Sequence, residues 1–205
     1  MTTPNNARLH RLNDDDLVLA VRSAAEPLID VLGQLYAVVE TLTDLQYTAK
    51  PVGPFDSSIG SHVRHCLDHV ASVLAVATGD EVDYDRRERG TDVESSPRAA
   101  LNRIAELQRR LIELPPQAMH RSTWVSVMLT VDGDAVRLHS SVGREIAFVL
   151  SHTIHHHAII GAMVRMQDGR LPDRFGYAPS TVAHASRVQQ QQQQWQEADS
   201  CARSA

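Results

Sequence analysis

Seven of the 11 histidines in this 205-residue chain fall in two short segments. His62, His65 and His69 form one group, and His152, His155, His156 and His157 form the other. At 100 degrees per helical residue, positions 62, 65 and 69 lie within about 60 degrees of one another and so share a face. In the second group, Glu145, Val149, His152, His156, Ile159 and Met163 fall on one stripe. His155 and His157 point to either side of it. Two imidazoles one turn apart on a buried face can chelate one metal ion, and a third from a facing helix makes a three-ligand site with open positions. Imidazole suits Zn, Ni, Cu and Fe, so the donor set does not by itself choose the metal. The opposing reading is a set of core or interface histidines satisfied by hydrogen bonds.

Other chemistries lack their parts. The residue after His152 is Thr153, so the HExxH general base is missing. Paired ExxH motifs for a di-iron bundle are not found, nor is a GxSxG nucleophile elbow or a glycine-rich phosphate loop. Cys66 beside His65 reads as a small buried hydrophobe rather than a nucleophile.

The elements that must hold these histidines are helical. Asn13 followed by Asp14, Asp15 and Asp16 is a helix start. Leu17, Val21, Ala24, Leu28, Val31, Leu35, Val38 and Leu42 continue it as one apolar stripe. Pro27 predicts either a kink or two successive helices. Lys50 to Asp56 reads as a loop. Ser57 or Ser58 caps a second helix running to about Thr78, stopped by Gly79-Asp80. Asp83 to Ser95 has no apolar period and reads as a long connection, its charges either solvated or lining the site. Ser96-Pro97 opens a third helix whose apolar face is Ala100, Ile104, Leu107 and Leu111. From Trp124 to Leu138 the period changes to two around Asp132-Gly133, predicting a small two-stranded hairpin. The fourth long helix spans about Ser141 to Met166, and a short helix begins near Ser180 or Thr181. Gln189 to Gln194 lies in a polar tail, residues 187–205, read as disordered or as a solvent-exposed helical extension. Four apolar stripes that must be buried against one another imply an all-α four-helix bundle over residues 14–186.

Composition narrows the class. Hydrophobic residues make up 42% and charged residues 22%, which is ordinary globular usage. The formal charge of −5 gives no net attraction to nucleic acid or to an acidic membrane surface. Cys66 and Cys201 offer neither a disulfide framework nor a CxxC clip, which fits a reducing cytoplasm. No signal peptide or membrane span is evident.

The run Ser58-Ile59-Gly60-Ser61-His62-Val63-Arg64-His65-Cys66-Leu67-Asp68-His69 resembles the start of the second helix in the DinB/YfiT-like superfamily of metal-dependent proteins. Gly143-Arg144-Glu145 through Leu150-Ser151-His152-Thr153-Ile154-His155-His156-His157, and Phe175-Gly176-Tyr177-Ala178-Pro179-Ser180-Thr181, extend the resemblance to roughly residues 14 to 186. It implies a four-helix bundle in which one second-helix His and an HxxxH pair hold a divalent metal, Zn2+ or Ni2+. On that alignment the ligands are His65, His152 and His156. The apolar arc of Ile59, Val63, Cys66, Val70 and Val73 lies nearer His62, which stays open as the alternative, with His69 as pocket wall or outer-layer support. Glu145 would orient an imidazole, act as a base or pair with an Arg. The resemblance further implies a small-molecule substrate and either hydrolysis or thiol transfer. A homodimeric, non-enzymatic bundle with packing histidines is the alternative.

Overall fold

The computed structural model describes residues 14–50, 55–76, 81–85 and 90–203, with side chains from residue 25 to residue 196. The Asn13 cap, the Gly79-Asp80 stop and the two arginines at 87 and 89 lie outside the described residues. Four long helices carry the fold: α1 (Asp14–Glu40), α3 (Ile59–Val76), α5 (Pro97–Ile112) and α6 (Val142–Met166). Two short ones, α2 (Asp44–Thr48) and α4 (Asp92–Ser95), and a final helix α7 (Pro179–Arg203) complete the α-helices among the described residues, and a 3-10 turn spans Pro116–His120. The helices α1 and α3 each pack against both α5 and α6, which makes a ring of four with α1 and α3 on one diagonal. That is the bundle architecture the apolar stripes imply.

The stripes explain the packing. Ala100, Ile104, Leu107 and Leu111 of α5 are all buried, as are Leu28, Leu35 and Val38 of α1. Leu32 and Val39 of α1 are fully buried as well, so its apolar face is wider than a single stripe because it meets two neighbours. Burying one such side chain contributes roughly 1.5–3 kcal/mol, and these residues form the centre of the core. Pro27 sits on the exposed side of a continuous α1. One interior amide hydrogen bond is lost there, but the residue is exposed and the apolar face carries through.

Serine caps set the starts of the other three. The Oγ of Ser58 accepts from the Ser61 amide at 3.1 Å, Ser96 from Ala99 at 3.3 Å with Pro97 in the first turn, and Ser141 from Arg144 at 3.3 Å. Each satisfies an amide that the helix itself leaves open.

The insertion is larger than a two-stranded hairpin. Strands β2 (Ser122–Val127) and β3 (Val136–Ser141) pair antiparallel with Trp124 opposite His139 and Val127 opposite Val136. The link between them is longer than an Asp132-Gly133 turn requires. A third strand, β1 (Val82–Asp83), joins β2 in parallel, with Val82 opposite Val125. Its second residue, Asp83, opens the charged stretch that reads as a connection, and two residues are too few to show a period of two. The same stretch contains α4, whose backbone comes so close to Gly60 that a Cβ there would collide with the Glu94 carbonyl and the Tyr47 ring. Only glycine lets α3 begin in that position.

After α6 the chain doubles back. Gly176, at φ +76, lies against the α6 backbone where a Cβ would fall 2.6 Å from the Ala158 nitrogen. This contact seats Phe175 in the core beside His157. The glutamine run lies within α7, so the tail takes the helical one of the two forms read from the sequence. Trp195, on α7, is exposed.

Candidate metal centre

Where α3 faces α6, five histidines meet. His65 and His152 approach with their Nε2 atoms 2.9 Å apart. Two further rings complete triangles on that shared edge. The centroid of His69 is 4.4 Å from His65 and 4.3 Å from His152, and that of His156 is 4.6 Å from each of them. His62 closes the outer side, its Nδ1 3.1 Å from Nδ1 of His156. The helical period places His62, His65 and His69 on one face of α3 and His152 and His156 on one face of α6, and packing α3 on α6 brings the two faces together.

The donor atoms distinguish the two triangles. One ligand atom each from His65, His69 and His152 lies within 4.8 Å of the others, so these three can hold a metal ion. The Nδ1–H of His69 donates to the His65 carbonyl at 3.0 Å. That bond fixes the tautomer with the lone pair on Nε2, the arrangement metal-binding imidazoles adopt. His156 instead directs Nδ1 at His62. Burial, then the neighbouring imidazoles led by His152, push its pKa down to about 3. The same burial, followed by the charge of His155, lowers that of His62. A tetrahedral zinc site with bonds of about 2.0–2.1 Å spaces its nitrogens about 3.3 Å apart. The 2.9 Å edge and the 4.8 Å limit bracket that spacing, so small side-chain rotations suffice and the residues fit the ion.

Aromatic rings hold the cluster in place. Tyr84, just after β1, stacks on His69 at 4.8 Å and 13°, and Phe148 stacks on His152 at 5.8 Å and 23°. The Tyr84 hydroxyl donates to Glu145 Oε2 at 2.7 Å. Ser140 donates to the other carboxylate oxygen at 2.5 Å, and Arg144 lies 3.4 Å from that oxygen. Burial of the phenol and its bond to Glu145 raise the Tyr84 pKa. Glu145, 3% exposed, thus braces Tyr84 from the α6 side and is hydrogen-bonded to Tyr84, Ser140 and Arg144. A pocket of about 270 Å³ opens beside this brace, walled by Val125, Val127, Leu138, Phe148 and Arg144.

The remaining histidines separate as the stripe predicts. His155 is exposed. His157 is turned the other way and buried, stacked on Phe175 at 4.4 Å and 13°. Its Nε2 has no hydrogen-bond partner, and burial lowers its pKa to about 3. Cys66 is fully buried, and burial pushes its thiol well above the ordinary range, so it is a packing residue.

The sequence does carry a signal for His69: His65 and His69 stand at i, i+4, the same spacing that singles out His152 and His156. Tyr84 had no such signal, because its position depends on the pairing of β1 with β2.

The family model described as the DinB superfamily matches residues 28–160. That span covers α3, α5 and the histidine-bearing part of α6. A protein of Rhizopus delemar named FK506-binding protein 5 is 32% identical over 104 residues. The aligned segment is 50% of this chain and 27% of that protein's length, so the chain spans only about a quarter of that relative.

Proposed function

The chain belongs to the DinB superfamily, and on that premise we propose that the α3–α6 imidazole cluster is a divalent-metal site acting on a small molecule. The observation that carries this reading is the set of three ligand atoms, from His65, His69 and His152, within 4.8 Å of one another. The shared edge of His65 and His152 supplies two ligands, and His69 the third. His156, the third ligand expected from the resemblance, is the competing candidate. Zn2+ or Ni2+ suits the nitrogen donors. Such an ion supplies Lewis acidity, lowering the pKa of bound water or binding a thiolate, which supports hydrolysis or thiol-dependent transfer.

The chain's own residues do the rest. Tyr84 and Phe148 fix the rings of His69 and His152, while the buried Glu145 keeps Tyr84 in place. The pocket beside them offers an apolar wall for the substrate body with the Arg144 guanidinium at its edge. A cytoplasmic setting accords with the free, buried Cys66, and none of the described helices is long and apolar enough to cross a membrane. The exposed Trp124, Leu129, Val131 and Leu138 on and around the hairpin support a homodimer.

Metal analysis of protein purified without a histidine tag tests the site. We expect about one Zn2+ or Ni2+ per chain, lost in His65→Ala and His152→Ala. Loss in His69→Ala with retention in His156→Ala assigns the third ligand, and the reverse pattern assigns it to His156. Wild-type protein that is metal-free and takes up neither ion on titration overturns the proposal.

A further inference from the structure

The two edges of the small sheet are built differently. Strand β1, at one edge, is two residues long, and its Val82 is fully buried. Strand β3, at the other, pairs with β2 residue for residue over its whole length, and Val136, Arg137, Leu138 and His139 are all exposed. Pairing with β2 uses the amide and carbonyl of every second β3 residue, so those of the alternate residues point out of the sheet. Lysine, proline and a bulge, the common guards of such an edge, are absent from β3. We propose that β3 pairs antiparallel with β3 of a second copy of this chain, about a two-fold axis at Leu138, and joins the two sheets into one.

The charges that flank the strand select this occupant. Just before β3 stand Asp132 and Asp134, both exposed and neither in an ion pair among the described residues. Just after it come Arg144, also largely exposed, and the positive N-terminal end of α6. Because the two flanks have opposite sign, an antiparallel copy sets the acidic end of each strand beside the basic end of the other. A parallel partner would oppose like ends.

With the axis at Leu138, that side chain meets its own copy, and Val136 lies opposite the partner's Ser140. Val136 and Leu138 share a face with Val127 and Val125, their partners on β2, so the apolar layer of one sheet runs into that of the other. Arg137 lies opposite the partner's His139 rather than another Arg137, and its charge is already matched by Glu81 at 2.9 Å. Leu138 also walls the pocket beside Phe148, so the pairing sets the pockets of the two copies side by side across the axis. This arrangement rests on the homodimer proposed above and gives it an interface; it does not depend on the metal.

Sedimentation velocity of the full chain over a dilution series should show a dimer for wild type. Leu138→Lys, which sets two ammonium groups across the axis, should dissociate it. At low salt Asp134→Arg and Arg144→Asp should each weaken the dimer by about 10-fold or more, and the two together should regain about fivefold or more, a recovery that misfolding cannot produce. Cross-linking reads the axis directly. In a Cys201→Ser background, Leu138→Cys should give a disulfide-linked dimer under mild oxidation, because opposite Cα atoms of paired strands stand about 4.5–5.5 Å apart, within disulfide reach. Val131→Cys, in the exposed link between β2 and β3, should not. A dimer that persists in Leu138→Lys, cross-links through Val131→Cys instead, or is no tighter in the double charge variant than in either single one keeps the homodimer and overturns the edge pairing. A wild type that stays monomeric at every concentration overturns both.

Discussion

Two opposite seams of the bundle, α1–α5 and α3–α6, are built from the same helical geometry and filled with opposite chemistry. Between α1 and α5, leucine and isoleucine side chains such as Leu28, Leu32, Ile104 and Leu107 exclude water almost completely. Between α3 and α6, the positions that face inward near the middle of the helices carry imidazoles, with His156 buried and His65 and His152 partly open. Imidazole is a poor core filler, since each ring brings two nitrogens that need partners in a place where water is scarce. The second seam therefore gives up apolar stabilisation for groups that bind, and the first supplies the rigidity that keeps them aligned.

The sharpest way to break this contrast is to open the apolar seam. Ile104→Ala, at a fully buried site on α5, is expected to lower unfolding free energy by about 2–5 kcal/mol in urea titration. His152→Ala should instead remove the metal while shifting the urea midpoint far less. Equal midpoint losses in the two variants would erase the distinction between seams.

Next is the brace. Tyr84→Phe keeps the ring that stacks on His69 but removes the donor to buried Glu145. A loss of about 1–3 kcal/mol follows from leaving that acceptor short of a partner. Affinity for the metal should fall less than in Tyr84→Ala, which also removes the stacking surface. Matching affinities in the two variants would show that the stacking does not position His69.

Acid distinguishes the seams more gently. His156 and His157 are held near a pKa of 3 by burial, below the 6.5 of an unfolded chain. Between those values the unfolded state binds more protons, so stability is complete above pH 6.5 and declines as pH falls toward 3. For metal-free protein the urea midpoint should drop steadily from pH 7 to pH 4.5, and His157→Phe should flatten part of the drop. A midpoint constant over that range contradicts the burial of these rings as neutral groups.

The smallest effect belongs to the surface. Arg109→Ala removes an ion pair to Glu113 in which both side chains are largely exposed. The change should stay within about 1 kcal/mol, with metal content untouched.

These contrasts also explain what could be read from the chain alone. The apolar period of α5 and the capping serines at 58, 96 and 141 are local features, so the helices and their inner faces were legible. So were the imidazole faces, because facing positions on one helix obey a fixed spacing. What could not be read is which imidazoles meet across helices. One donor atom each of His65, His69 and His152 lies within 4.8 Å of the others, while the His156 ring stands 4.6 Å from His65 and from His152, distances set by how α3 and α6 pack rather than by spacing along either helix. Of the kink or two successive helices that Pro27 predicts, two helices are not formed: α1 runs through the proline, which sits on its exposed side. Tyr84 was hidden because its strand is only two residues long and its partner lies beyond α4 and α5.

That last pairing bears on how the protein reaches its working form. β1 reaches β2 only when the whole stretch containing α4 and α5 closes as a loop, an entropic cost incurred before any contact there is made. That pairing is what places Tyr84 against His69. Completion of the centre is thus tied to a non-local pairing as well as to helix formation, and a pulse of hydrogen exchange during refolding is expected to find the amides of β1 and β2 protected after those within α1 and α5.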